Sequence, residues 1–266
     1  MEILQTKTDI GRVRDMNEDA ATIVKHPRNK NIKMLVVADG MGGKEDGNIA
    51  SNYIVTSLER WFINKSIKEI NNTKEIDKSL KTYIKRLNTS LIRKYGENHL
   101  GSTLTLAIIN SKYTLIENVG DSRAYIYKDN ELKQITQDDS DVWYYYKYGE
   151  VEKDDLRYFV NNSIITSCIG INKELCTITS EVIENDYKIL LLLTDGVTDM
   201  ITDKKIKQVI RRNAEEEILE KIINEAVNIN QHLFVPVRLK KKALSDYIVP
   251  FKGRDNATGA IFIKNE

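Results

Sequence analysis

The feature that most constrains this chain is the position of its short acidic motifs, which stand at the ends of apolar runs. Met34-Leu35-Val36-Val37-Ala38 leads straight into Asp39-Gly40-Met41-Gly42-Gly43, and Ile189–Thr194 leads into Asp195-Gly196, with Asp199 close behind. Two further motifs, Arg14-Asp15-Met16-Asn17-Glu18-Asp19 and Asp255-Asn256, lie near the two ends of the chain. A buried strand that ends in Asp holds a carboxylate on rigid scaffolding close to the surface. Unpaired carboxylates are almost never fully buried, and converging ones repel unless a cation joins them. The pattern therefore predicts a metal site assembled from distant parts of the chain.

A chain of 266 residues with 41% apolar side chains can bury one sizeable core. The net charge of +1, from 40 basic and 39 acidic residues, argues against a chain whose main task is holding nucleic acid or an anionic membrane. The first residues lack a basic start followed by an apolar stretch, so no signal peptide is expected. The apolar runs are far shorter than the roughly 20 residues that span a bilayer. Cys168 and Cys176 alone make neither a disulfide framework nor a zinc motif, and they are expected in a core of a reduced, cytoplasmic protein.

With no repeat, no low-complexity segment and no Pro/Gly linker, the reading is one domain over residues 1–266. Short β-branched runs predict strands at Ala20–Val24, Lys33–Ala38, Thr103–Ile109, Thr114–Val119, Ala124–Tyr127, Ile189–Thr194 and Thr258–Ile263. Gly120-Asp121-Ser122-Arg123 looks like a hairpin connection between two of them. Helical stripes run through Ala50–Phe62, Ile76–Ile92 and Glu216–Val227. Strands cluster rather than alternate with helices, which favours an antiparallel α+β arrangement.

Several chemistries fail on inspection. A P-loop needs Gly at 38 and Ser or Thr at 45, where the chain has Ala38 and Glu45; a dinucleotide fingerprint from Gly40 also meets Glu45. Gly120–Arg123 is no nucleophile elbow, because Ala124 replaces the second glycine. His26, His99 and His232 lie near none of the acidic motifs in sequence, so His-based hydrolysis and His-ligated zinc have little support. Carboxylates, a backbone carbonyl and water suit Mg²⁺ or Mn²⁺. Taken singly, Asp-Gly after a strand is an ordinary turn.

Taken together, the motifs are specific. Arg14…Asn17-Glu18-Asp19, Val37-Ala38-Asp39-Gly40-Met41-Gly42-Gly43, Gly101-Ser102-Thr103, Gly120-Asp121-Ser122-Arg123, Thr194-Asp195-Gly196…Asp199 and Gly253-Arg254-Asp255-Asn256-Ala257-Thr258 follow in an order that resembles the PP2C family, the metal-dependent (PPM) serine/threonine phosphatases, in its bacterial branch. The likeness runs from about residue 8 to residue 264. It implies a four-layer αββα sandwich, two antiparallel sheets flanked by helices, with a flap-like segment at about 138–170. By position it implies that Asp39 bridges two metal ions, with the Gly40 carbonyl on one of them and Glu18 bound directly or through water. Asp195 and Asp255 then hold the other ion, Asp121 and Asp199 correspond to a third and weaker site, and Asp19 and Asn256 support the ligands. Arg14 corresponds to the family's phosphate-binding arginine.

That inventory implies hydrolysis of phosphoserine and phosphothreonine in proteins by a water activated between two Mn²⁺ or Mg²⁺ ions about 3.5–4 Å apart. The implied partners are phosphorylated proteins, targets of a bacterial kinase, with no nucleic acid and no membrane span. Two alternatives stay open: a catalytically inactive sensor or scaffold on the same fold, and a phosphatase of a small phosphorylated metabolite. Met41 stands where many relatives carry a histidine, which leaves the general acid unassigned. Residues 228–252 make an unusually long connection containing Arg238-Leu239-Lys240-Lys241-Lys242; a solvated basic loop is favoured there over a docking site. The Tyr-rich stretch Trp143–Tyr148 is read as packing of a flap helix rather than a stacking platform for single-stranded nucleic acid.

Overall fold

A computed structural model describes residues 2–42, 46–158, 164–174, 177–229 and 255–264, together with the backbone of four short pieces between 232 and 250. Its main strands form two antiparallel sheets. The first runs β1 (Ile3–Asp9), β15 (Ala257–Ile263), β10 (Ile189–Leu193), β7 (Arg123–Lys128), β8 (Glu131–Gln134). The second runs β2 (Asp19–His26), β3 (Asn29–Gly42), β5 (Leu104–Ile109), β6 (Thr114–Val119), β9 (Thr179–Ile183), with the short β4 (Leu100–Ser102) paired to the end of β3.

Helices cover both outer faces. Against the second sheet lie α1 (Gly47–Ile63), the one-turn α2 (Ile67–Ile70) and α3 (Thr73–Tyr95); against the first lie α5 (Asp195–Thr198), α6 (Asp203–Arg212) and α7 (Ile218–Val227). On α3 the residues Ile76, Leu80, Ile84, Leu87 and Leu91 recur every three or four positions and are all buried. The Asn72 side chain accepts the Glu75 N–H at its start, and Gly96, at φ +94°, ends it.

Three apolar layers result. Met34, Val36 and Ala38 of β3 point to the helices, whereas Leu35 and Val37 point between the sheets. In β10, Ile189, Leu191 and Leu193 face helices, while Leu190 and Leu192 face the other sheet. Both strands are therefore apolar without interruption, because neither face meets water. This is the expected α+β fold, two antiparallel sheets flanked by helices, and the seven predicted strands are all present within a few residues of their predicted ends.

Four expectations are revised. Gly120–Arg123 does not close a hairpin: β6 and β7 belong to different sheets, and the segment crosses between them with Gly120 at φ +101°. Within 228–252 the backbone forms β11 (His232–Val235) paired with β14 (Tyr247–Pro250), and β12 (Arg238–Leu239) paired with β13 (Lys242–Ala243). The basic side chains there, and Cys176, fall outside the described residues. In the flap-like segment, α4 (Trp143–Lys147) buries only Trp143, while Tyr144, Tyr145, Tyr146 and Tyr148 are exposed. Cys168 is half-buried rather than a core residue.

Candidate active site

The acids collect where the crevice between the sheets opens. Asp19 of β2 and Asp39 of β3 are directly opposite each other in the ladder, on the face shared with Leu35 and Val37. Like charges facing each other across a ladder destabilise it, so this register needs a compensating partner. From the other sheet, β10 is followed by Thr194 and the first residue of α5 is Asp195, while Asp255 precedes β15. Thr194 precedes α5 but does not cap it; its hydroxyl donates to Asp19 Oδ2 at 2.9 Å and accepts the Thr258 N–H at 3.0 Å.

Asp39 and Asp195 lie within hydrogen-bonding reach of each other. Burial, then the charges of Asp19 and Asp195, hold Asp39 well above the usual carboxylate range. Burial, then Asp255, raises Asp195, opposed by hydrogen bonds from Asp39 and Gly196 and by the charge of Arg14. Burial also raises Asp19, against hydrogen bonds from Thr258 and Thr194. Asp19 Oδ1 and Asp195 Oδ1 are buried without a hydrogen-bond partner.

The rim carries the cation. Arg14 donates to Asp255 Oδ2 at 2.6 Å and stands 4.0 Å from Glu18 Oε2. Its loop is stitched down by Asn256, which accepts the Glu18 N–H at 2.8 Å and donates to the carbonyls of Ile10 and Met16 at 3.0 and 2.9 Å. Glu18 Oε1 accepts the Gly47 N–H at 2.9 Å, so its charge sits on the first turn of α1. Gly40 is required for close approach: a Cβ there would stand 2.1 Å from the Gly47 carbonyl oxygen.

Asp121 reaches the site from the sheet crossover. It is buried and lines a small cavity with Asp195, Thr198 and Asp199, and burial, followed by Asp195, Asp138 and Asp199, raises it well above its ordinary value. Thr103 links the two halves: its hydroxyl accepts the Asp39 N–H at 2.9 Å and lies 2.9 Å from Ser122 Oγ.

All ten expected site residues, Arg14, Glu18, Asp19, Asp39, Gly40, Asp121, Asp195, Asp199, Asp255 and Asn256, lie at this end of the sandwich or on its rim. The donor set is all oxygen, and carboxylates with orphaned oxygens outnumber the nearby cations, so the residues fit hard divalent ions. Among the described residues no three Asp, Glu, His or Cys side chains stand ready-made around one point. Asp255 is turned to Arg14, and Glu18 to α1.

Residue-type patterns missed Asp138, which is buried and makes a two-pronged ion pair with Arg123 (2.6–3.0 Å). The acidic pair Asp138-Asp139 at the head of the flap-like segment was the available signal. His26 packs edge-on against Phe62, and His99 Nε2 lies 3.4 Å from Asp46, just beyond the glycine-rich motif.

Among known proteins, the family model described as protein phosphatase 2C matches residues 12–227. The serine/threonine phosphatase stp of Listeria monocytogenes (serovar 1/2a) is 30% identical over 256 residues, covering 94% of this chain and 97% of the relative. A crystal structure of a bacterial serine phosphatase superposes with a TM-score of 0.81 at 28% identity, covering 99% of this chain and 98% of the other. The catalytic domain of the phosphatase PstP, solved with two manganese ions, superposes with a TM-score of 0.73 over 98% of this chain and 97% of that one; at 21% identity it speaks for the fold. With its acidic crevice, its two-sheet architecture and these relatives, the chain is a serine/threonine phosphatase of the protein phosphatase 2C family.

Proposed function

We propose that the chain is a single catalytic domain, cytoplasmic, that removes phosphate from phosphoserine and phosphothreonine in proteins that a bacterial kinase has modified, using two divalent cations, Mn²⁺ or Mg²⁺. The observation that carries this reading is the approach of Asp39 and Asp195 from opposite sheets, beside buried oxygens of Asp19 and Asp195 that no protein donor satisfies. Asp39 would lie between the two ions, with the Gly40 carbonyl and Glu18 on one side and Asp195 and Asp255 on the other; Asp121 and Asp199 would hold a third, weaker ion. When bound, such ions neutralise phosphoryl oxygens and lower the pKa of water to near neutrality.

The chain's own residues do the rest. Arg14, half-exposed at the rim, presents a planar fork that matches two phosphate oxygens. Asp255, its present partner, would leave that fork free for phosphate if its own oxygens held a cation. Thr194 and Thr258 hold Asp19 in place, and Asn256 fixes the loop that carries Arg14. Met41 offers no proton at its position.

The test is hydrolysis of a phosphothreonine peptide panel with Mn²⁺, with Mg²⁺ and with EDTA. Activity is expected with either metal and lost with EDTA. Asp195→Asn should abolish turnover while leaving the thermal transition in place; near-normal turnover of that variant at saturating metal would reject the two-metal assignment.

A further inference from the structure

A column of polar side chains joins the flap-like segment to the body of the protein, and two of its members, Arg123 and Asp138, line the same small cavity as Asp121, Asp195 and Asp199. It begins with Arg123 of β7, whose guanidinium grips Asp138 through two of its nitrogens while Gln134 Nε2 donates to the same carboxylate at 2.8 Å. Arg123 lies against the Trp143 ring, 5.9 Å from its centroid, and so touches α4. Its Nη1 donates to the Tyr125 hydroxyl at 3.4 Å, and that hydroxyl donates to Asp203 Oδ1 at 2.9 Å. The other oxygen of Asp203, the first residue of α6, takes the Lys153 ammonium, which also lies 5.4 Å from the centroid of the Tyr125 ring. Lys153 opens the 3₁₀ turn Lys153–Tyr158, the second helical piece of the flap-like segment. Two positive and two negative side chains thus balance along the column, with Tyr125 as the bridge.

What this column holds in place matters for the site. The small cavity that contains Asp121, Asp195 and Asp199 has Ser140, Val142 and Leu156 as its other wall, all from the flap-like segment. Between residues 142 and 158 of that segment Val142, Trp143, Val151, Leu156 and Arg157 are buried, while Tyr144, Tyr145, Tyr146 and Tyr148 are exposed. Arg123–Asp138 fastens the near end of the segment, and Lys153–Asp203 is the pair that fastens its far helical piece to the α5–α6 corner, four residues beyond Asp199.

We propose that the Lys153–Asp203 pair is a latch that seats residues 143–158 as a wall over Asp121, Asp195 and Asp199, and so acts as a positioning element for the phosphatase reaction. This rests on the reading of that crevice as the catalytic site. Neither residue touches the crevice acids; their effect passes through Leu156 and Val142. The pair is partly shielded, with side-chain exposures of 20% and 29%, so removing one charge leaves the other without its countercharge in a half-dry setting.

The test uses the full chain with Lys153→Met, Lys153→Arg and Asp203→Asn. The methionine keeps the stem and removes the charge; the asparagine keeps an acceptor for Tyr125 and removes the countercharge, and serves if the first variant does not fold. Amide hydrogen exchange over 143–158 is read first, without substrate. Both charge-removing variants should exchange there about tenfold faster, with the rest of the chain unchanged and with Lys153→Arg close to wild type. On a phosphothreonine peptide, kcat/KM should fall about tenfold, mostly through KM, and the arginine should restore it. Unchanged exchange over 143–158 would overturn the latch; faster exchange with unaltered kcat/KM would overturn its positioning role. Because the exchange measurement needs no catalysis, it decides the latch even if the wild-type chain fails to hydrolyse the peptide, a result that would reject only the proposed reaction.

Discussion

Glu117 offers the clearest quantitative test of the structure. It lies in the middle of β6, fully buried, on the face that packs against α3. Ser180 Oγ donates to its Oε2 at 2.8 Å, its Oε1 is buried with no hydrogen-bond partner, and Asp77 of α3 lies within hydrogen-bonding reach. Lys81 Nζ stands 2.9 Å from Asp77 Oδ1. One proton shared between the carboxyls resolves this arrangement: burial, then the hydrogen bond to Asp77 and its charge, push Glu117 up to about 9, while Asp77 stays ionised because hydrogen bonds from Glu117, Lys81 and Ser180 outweigh its own burial.

An unfolded Glu titrates near 4.3. Between that value and about 9 the folded chain therefore holds one more proton at this site than the unfolded chain. The stabilisation is complete below the unfolded pKa and is lost as pH rises toward the folded one, at about 1.4 kcal/mol per pH unit. Asp77 acts in the opposite sense, losing its contribution as pH falls through its lowered pKa, well below the working window. Glu117→Gln supplies a fixed N–H donor to Asp77 and removes the proton linkage. Urea denaturation of both proteins at pH 6, 7 and 8 and constant ionic strength isolates the effect, since other titrations cancel in the difference. The variant should gain on wild type by about 2–3 kcal/mol between pH 6 and pH 8. Parallel stability curves across that range would show that Glu117 is ionised in the folded protein and refute the shared proton.

Other outcomes follow from the site itself. Arg14→Ala removes a charge-assisted contact of about 1.5–3 kcal/mol, so kcat/KM should fall about 10- to 100-fold with metal affinity near wild type; equal kinetics on every phosphosubstrate would reject a phosphate-binding role. Asp121→Ala should raise the Mn²⁺ concentration needed for half-maximal activity while two-ion binding persists, and crystals at saturating Mn²⁺ that hold only two ions would count against a third site. Gly196→Ala places a Cβ 2.0 Å from the Asn256 carbonyl oxygen, between the strand ends that carry Asp195 and Asp255. A loss of at least about 1–3 kcal/mol in stability is expected, together with lost turnover, and an unaltered thermal transition would contradict that packing.

Much of this protein could be read from residue order. The uninterrupted runs of β3 and β10 announced strands buried on both faces, and β6 was predicted at Thr114–Val119 with the bounds it has. The α3 stripe needed only helical spacing. The site acids were also visible, because each stands at the end of such an element and no local structure explains its charge. Less visible were β1, β8 and β9, with sequences such as Glu131-Leu132-Lys133-Gln134. They lie at or next to sheet edges and are held by ladder hydrogen bonds, which every residue can make, rather than by apolar pattern.

Chain order alone thus determined the element types, the family likeness and the identity of the candidate ligands, because these depend on local periodicity and on which residue ends each run. Only the tertiary structure decided which acids meet. The β2–β3 register sets Asp19 opposite Asp39, the first sheet brings Asp195 from 156 positions away to the same crevice, and Gly120–Arg123 becomes a crossing between sheets instead of a hairpin. The Lys153–Asp203 pair spans 50 positions in the same way. Such contacts come from sheet register and layer packing, which minimise the free energy of the whole core and leave no mark on any short stretch of sequence.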